Sequence, residues 1–383
     1  MRGATVIGLS MILLSACGST TAARLTPSRT PSPTATPTAS PTPTPTPTPT
    51  ALPPPPNLPR AAGIGVPAGF AAFQYARGLY LPTAMALGPD GRLYVTGASG
   101  TVSVVSAPGG GAQTLASGLP AALGLVWRGT DLYLSVRGSV RDYRLSGGGL
   151  ARGPVVAAGI PNGRHQNDNI VLLPSGDFLL GNGSTCDLCN EADARSAAVL
   201  RFRADWSYAG VVVRGARNPY GLALRASDGQ AYVTINGQDF LGNQPADHML
   251  RVVAGENAGW PRCWPSYPDG GLHGSCAGVA PPIAVFAPHS SADGIVFYEG
   301  SDFGAGFMDN AFVTEWGNNA GSAGIGRRVM RVQLTGPVGA EHGVTNTFAT
   351  GFSHPLAITV APDGGLLVGD YGSGRIIEIF RIA

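Results

Sequence analysis

A few polar clusters stand out in a chain of 383 residues that holds six histidines, 23 acidic residues and 25 basic ones. His165 lies in Arg164-His165-Gln166-Asn167-Asp168-Asn169, just ahead of an apolar run from Ile170 to Leu173. An imidazole at a strand entrance can act as a general base near neutral pH. Taken alone, the same histidine reads equally as a surface residue of a hydrophilic loop. Arg217-Asn218-Pro219-Tyr220-Gly221 occupies the entrance of the next β-rich unit. A guanidinium there can stabilise developing negative charge or hold a carboxylate, and it can equally be an ion pair between neighbouring units. Asn236-Gly237-Gln238-Asp239, with Asp247 and His248 a few residues on, is rich in oxygen donors of the kind that Ca²⁺ takes. It lacks EF-hand spacing.

Four cysteines, Cys186, Cys189, Cys263 and Cys276, follow a fifth at Cys17. An even number in an exported chain suggests disulfides, and the local pairs 186 with 189 and 263 with 276 are expected. Cys186-x-x-Cys189 also has a zinc-like spacing. Its would-be partners, however, sit among Trp260, Pro261, Trp264 and Pro265 rather than in a second knuckle. Lysine is absent, so all 25 basic residues are arginine. That excludes Schiff-base chemistry and a lysine-bearing phosphate loop. Only 13% of residues are charged and the net charge is +2, which gives no field for nucleic acid.

The elements that must position these groups repeat. A turn followed by a β-rich run recurs six times: at Pro89–Thr96, Gly129–Ser135, Pro174–Leu180, Ser227–Thr234, Met308–Thr314 and Pro362–Val368. Asp-Gly between two β runs marks a hairpin, because glycine takes the positive φ of the turn without strain. Each copy follows an apolar strand, as at Ala84–Leu87 or Leu356–Val360, and precedes another, as at Thr101–Val105 or Arg375–Phe380. Six such units predict an all-β, six-bladed β-propeller of four-stranded antiparallel blades over 61–383. The longest insertion, Gly255 to Pro288, is expected to cap one face.

Ahead of the propeller, residues 1–17 read as a lipoprotein signal. Arg2 precedes the apolar run Ala4–Leu14, which ends in Leu14-Ser15-Ala16-Cys17 with Cys17 as the lipidated residue. Residues 18–60 read as a disordered Pro/Thr linker, with 14 prolines between Pro27 and Pro59. The expected location is extracytoplasmic, with the cell envelope reached through the lipid anchor alone.

Asn218-Pro219-Tyr220-Gly221-Leu222-Ala223, Gly255-Glu256-Asn257-Ala258-Gly259-Trp260-Pro261 and Ser291–Tyr298 together resemble the glucose/sorbosone dehydrogenase family. Gly183–Cys189 with Trp260–Cys263 is most similar to its sorbosone-dehydrogenase-like branch. The resemblance runs from about Leu81 to the C-terminus. It implies a propeller that uses pyrroloquinoline quinone (PQQ) and Ca²⁺ to oxidise an aldose or sugar aldehyde, with electrons passed to an acceptor left unnamed. It implies His165 as the base and Arg217 beside the quinone. Gln166, Asn218, Asn236, Arg327 and Arg328 fall near the cofactor, and the carbonyls of Gly237 and Gln238 near Ca²⁺. Ser184 stands where the soluble glucose dehydrogenases have an aspartate behind the histidine, while His354 and Leu356 replace two arginines. Because of these departures a binding propeller that lost its cofactor stays open, as does a Ca²⁺-dependent lactonase built around Asn236 and Asp239.

Overall fold

The structure is a computed structural model that describes residues 57–318 and 325–382. The signal, Cys17 and the linker up to residue 56 lie outside the described residues. The rest forms six blades around one axis. Blade 1 is Pro82–Leu87, Leu93–Gly97, Thr101–Val105 and Ala112–Ala116. Blade 2 is Ala122–Arg128, Asp131–Val136, Ser139–Ser146 and Gly149–Ala158. Blade 3 is Asn167–Leu172, Phe178–Asn182, Ala198–Phe202 and Tyr208–Arg214. Blade 4 is Pro219–Arg225, Gln230–Ile235, Asp247–Arg251 and Ala284–Phe286. Blade 5 is Ala292–Phe297, Ala311–Glu315, Arg328–Thr335 and His342–Ala349.

Blade 6 takes Pro355–Val360, Leu366–Asp370 and Arg375–Arg381 from the C-terminal end and its outer strand, Phe70–Ala76, from the N-terminal end. This pairing closes the ring with a hydrogen-bonded ladder. It leaves no step at which the last blade could peel away alone.

All six sequence repeats are the turn from the first to the second strand of a blade. Glycine supplies the positive φ in five of them, between 60° at Gly129 and 95° at Gly364. In blade 5 there is no glycine, and Asp309 takes the left-handed conformation instead, at φ 59°. A short polar side chain tolerates that region better than most.

The core is divided into wedges. Six buried apolar clusters each lie between two neighbouring blades, for example Tyr232, Met249, Phe286 and Phe297 between blades 4 and 5. Every blade therefore buries both faces against its neighbours. Side-chain hydroxyls staple the inner ends together. Thr83 Oγ donates to Ala122 O at 2.7 Å, Ser135 to Asn167 O at 3.2 Å, Thr234 to Asp293 O at 2.5 Å and Thr314 to Leu356 O at 2.9 Å. Each bond ties one blade to the inner strand of the next, which explains the Ser or Thr that ends several repeats.

Two expectations need correction. The strand after His165 begins at Asn167, so Asp168 and Asn169 belong to it rather than to a loop. The insertion Gly255–Pro288 is not a free cap. Glu256–Asn257 adds a parallel fifth strand to blade 3, and Ala284–Phe286 is blade 4's own outer strand. Between them the hairpin Cys263–Pro265 with Leu272–Gly274 is closed by the 263–276 disulfide.

Candidate active site

Backbone bonds beyond the ends of the blade 3 strands place the histidine. His165 N donates to Ser184 O at 3.0 Å, Gly183 N to Gln166 O at 2.9 Å and Ser184 N to Arg217 O at 2.7 Å. The three sequence segments are thus laced side by side. Residue 183 must be glycine, because a Cβ there would stand 2.3 Å from His165 Cβ and 2.8 Å from Asn218 Oδ1.

Ser184 fixes the tautomer of His165. Its hydroxyl has one hydrogen, which goes to Cys186 O at 2.6 Å. Ser184 Oγ can therefore only accept from His165 Nδ1 at 2.9 Å, so Nδ1 carries the proton and Nε2 keeps its lone pair. Cys186 is held in turn by its disulfide to Cys189. Burial, followed by the positive charges of Arg217 and Arg164, pushes the imidazole down to about 3. The ring is neutral throughout the physiological range, in the form that accepts a proton.

Arg217 is buried and faces Asp187, which the sequence reading passed over. Its Nη2 donates to Asp187 Oδ1 at 2.5 Å and to Asp239 Oδ2 at 3.2 Å. Burial alone would raise the Asp187 carboxyl, but the bond from Arg217 and the backbone N–H of Asp239 outweigh it and hold it below the usual range. Arg164 pairs with the same Asp239 from the solvent side. Trp260 of the insertion donates its indole N–H to Asp187 O at 3.0 Å, which anchors the disulfide loop from above. Asp187 lies between two bonded cysteines in the four-residue stretch Cys186–Cys189, and that constraint was the available signal.

These groups border a cleft of about 780 Å³, lined among others by His165, Arg217, Asn218, Asn236, Gly237 and Trp316. Five of the expected site residues therefore converge here. The others do not. Gln166 points elsewhere, donating to Ala121 O and accepting from Arg137, while Gln238 is buried behind the wall. Arg327 and Arg328 do not line the cleft, and Arg328 Nε is bound to the buried Glu315 at 2.5 Å. The basic pair inferred from the resemblance is thus corrected: blade 5 offers the cleft Trp316 and Gly317 instead. Asp247 spends its carboxylate on Gly237 N, Ala292 N and Ser290, which fixes the Gly237 turn. His248 is buried and does not reach the cleft. Both expected disulfides are present, 186 with 189 and 263 with 276, and the cysteines are not free for zinc.

The fold has clear neighbours. The holo PQQ domain of pyranose dehydrogenase from Coprinopsis cinerea superposes with a TM-score of 0.72 at 17% identity, over 85% of this chain and 99% of that one. A calcium structure of a family AA12 carbohydrate-active enzyme from Trichoderma reesei gives 0.71 at 17%, over 85% and 98%. The PQQ-bound aldose sugar dehydrogenase of Streptomyces coelicolor gives 0.63 at 22%, over 82% and 99%. At these identities the likeness is one of fold. An uncharacterized protein of Borreliella burgdorferi is 22% identical over 200 residues, 49% of this chain, and the match spans about half of that protein, 52%. Residues 200–345 match the family described as Glucose / Sorbosone dehydrogenase. That segment contains Arg217, Asn218 and Gly237.

Proposed function

We propose that the protein is a PQQ- and Ca²⁺-dependent dehydrogenase that oxidises an aldose or a related sugar aldehyde. The observation that carries this reading is the His165 tautomer: a neutral imidazole with Nε2 unprotonated, on the wall of a cleft that also holds a buried arginine. The cleft fits the cofactor in kind. Its volume exceeds what a tricyclic quinone and one sugar ring occupy, and the lining residue Asn218 has its Oδ1 buried without a partner. Trp316 supplies an aromatic wall, stacked on His354 at 4.0 Å between centroids.

Arg164, Arg217 and Asn218 are the groups that would meet PQQ, and the Gly237 carbonyl would meet Ca²⁺. When bound, PQQ would supply the two-electron acceptor that takes the hydride. His165 Nε2 takes the proton of the sugar hydroxyl as the C–H bond breaks, while Nδ1–H stays on Ser184. The positive neighbours then favour prompt release of that proton to solvent, which resets the base. Arg217 stays in place because Asp187 binds it and Trp260 fixes the loop that carries Asp187, and its charge keeps His165 from holding a proton. We further propose that lipid on Cys17 holds the domain outside the cytoplasm, in keeping with the two disulfides.

The test is reconstitution. Purified protein is titrated with PQQ in Ca²⁺, and dye reduction is followed with a panel of aldoses. Tight quinone binding with sugar-dependent reduction supports the proposal; no binding and no turnover overturns it. One observation favours a second reading, a sugar-binding propeller without redox chemistry: Arg164 and Arg217 are already paired with Asp239 and Asp187. In that case sugar binds without PQQ and His165→Ala leaves the affinity unchanged. A lactonase metal would need several free side-chain oxygens, whereas Asp239 and Asp247 are engaged.

A further inference from the structure

The inner strand of every blade carries a bulge at one place. The register shifts fall between Pro82 and Ala84, Ala122 and Gly124, Asn167 and Ile170, Pro219 and Leu222, Ala292 and Ile295, and Pro355 and Ala357. A bulge re-aims the side chain at the extra residue. The residues concerned, Thr83, Leu123, Asp168, Tyr220, Asp293 and Leu356, occupy matching positions around the axis. All but Asp168 line a cavity of about 250 Å³ in the central channel, which meets the cleft at Asn218, Asn236, Ser291 and Trp316.

Three consecutive members of this ring carry oxygen: Asp168 of blade 3, Tyr220 of blade 4 and Asp293 of blade 5. Each residue is at least nine-tenths buried. Asp168 Oδ2, Tyr220 Oη and Asp293 Oδ1 are buried with no hydrogen-bond partner, and the other Asp293 oxygen accepts from Ser291 Oγ at 2.9 Å. An unmet carboxylate oxygen in such a place costs free energy unless something pairs with it. Burial raises both carboxyls, Asp293 to about 8, and the charged group that adds to the rise at Asp168 is Asp293 itself rather than an arginine.

A shared proton would draw the two carboxyl groups into a hydrogen bond with each other, or with the phenol between them. Among the described residues no such bond joins Asp168, Tyr220 and Asp293. The phenol also has no role in that arrangement. An ion bound by Asp168, Tyr220 and Asp293 would give each of these unmet oxygens a partner. The donors are oxygen only, without imidazole or thiolate, which selects a hard cation, and two carboxylates match a double positive charge.

We propose that Asp168, Tyr220 and Asp293 form a Ca²⁺ site in the central channel, separate from the cleft, that pins blades 3, 4 and 5 to one another. These are the three blades whose connections build the cleft, so the ion would hold the floor on which the candidate active site stands. Channel residues from blades 1, 2 and 6, Thr83, Leu123 and Leu356, carry no charge, so the charge is confined to one side of the ring.

The experiment uses the full chain without PQQ, stripped with chelator and then melted in Ca²⁺ or in EDTA. Wild type, Asp168→Asn, Asp293→Asn and Tyr220→Phe are compared, with Ca²⁺ stoichiometry from calorimetric titration. Wild-type protein is expected to gain roughly 5 °C in Ca²⁺ and to bind one equivalent more than either Asn variant. Both Asn variants should melt alike in the two buffers, and Tyr220→Phe should keep part of the gain. Asparagine mimics a neutral carboxyl, so the variants fold if the pair merely shares protons. A wild-type melt indifferent to Ca²⁺, or the same gain and stoichiometry in both Asn variants, overturns the site. Quinone is absent throughout, so the outcome is independent of whether the protein is a dehydrogenase.

Discussion

Blades 2 and 4 are built on the same plan and do different things. Both have the bulged inner strand and the hydroxyl staple to the next blade, through Ser135 in one and Thr234 in the other. In blade 2 the second strand ends at Val136 and the third begins at Ser139. In blade 4 the same connection runs from Ile235 to Asp247 and carries Asn236, Gly237 and Asp239 into the cleft. Ring closure depends on the shared parts, and chemistry depends on the connections. Blade 3 follows blade 4, with the loop between Asn182 and Ala198 holding Ser184, the disulfide and Asp187.

The comparison can be broken most severely at Asp187. Asp187→Asn leaves buried Arg217 with one weaker partner, and a loss of about 3 kcal/mol in chemical denaturation is expected, together with loss of turnover. A control change in blade 2, Asp131→Asn, breaks the pair with the exposed Arg144 and is expected to leave the melting curve nearly unchanged. Equal losses in the two blades would remove the distinction. Ser184→Ala should lower kcat about tenfold, the worth of about 1.4 kcal/mol, by freeing the imidazole tautomer, with KM little changed. Nitrogen NMR of His165 would show the Nδ1–H preference gone. The staples sharpen the other half of the comparison: Thr234→Val and Ser135→Ala should each cost about 1 kcal/mol and leave KM alone. A staple variant that changed KM would mean that scaffold and site are not separable.

A further prediction concerns pH. His165 has a folded pKa of about 3, below its unfolded value, so its contribution to stability is present above about 6.5 and is lost as pH falls from there. His165→Asn should therefore gain stability relative to wild type as pH drops from 6.5 to 4. Glu315, raised by burial to about 7, acts in the opposite sense: the native state loses stability as pH rises toward that value. A constant difference between wild type and His165→Asn across this range would show that the imidazole is not held in its neutral form.

The ring was legible because its signals are local. Each turn has its own punctuation, and even the glycine-free copy at Met308–Thr314 keeps the apolar run that follows. Ring closure was not legible, since Phe70–Ala76 pairs with a strand some 300 residues away and nothing in its own sequence names that partner. His165, Arg217 and Asn218 could be read because they sit at equivalent strand entrances, and Asn236 and Gly237 because they form an oxygen-rich, glycine-bearing run directly after a strand. Asp187 could not, because its role is set by a disulfide loop folding back on Arg217. Gln166 misled because its amide is spent on Ala121 O and Arg137, contacts with the blade 2 connections that its own segment does not announce.

Dye-coupled turnover of the PQQ- and Ca²⁺-loaded protein, wild type against His165→Asn, tests the central claim most directly. The account predicts sugar-dependent reduction in wild type and a kcat lower by about 10²- to 10⁴-fold in the variant, with quinone binding retained. Equal turnover in the two proteins would contradict it.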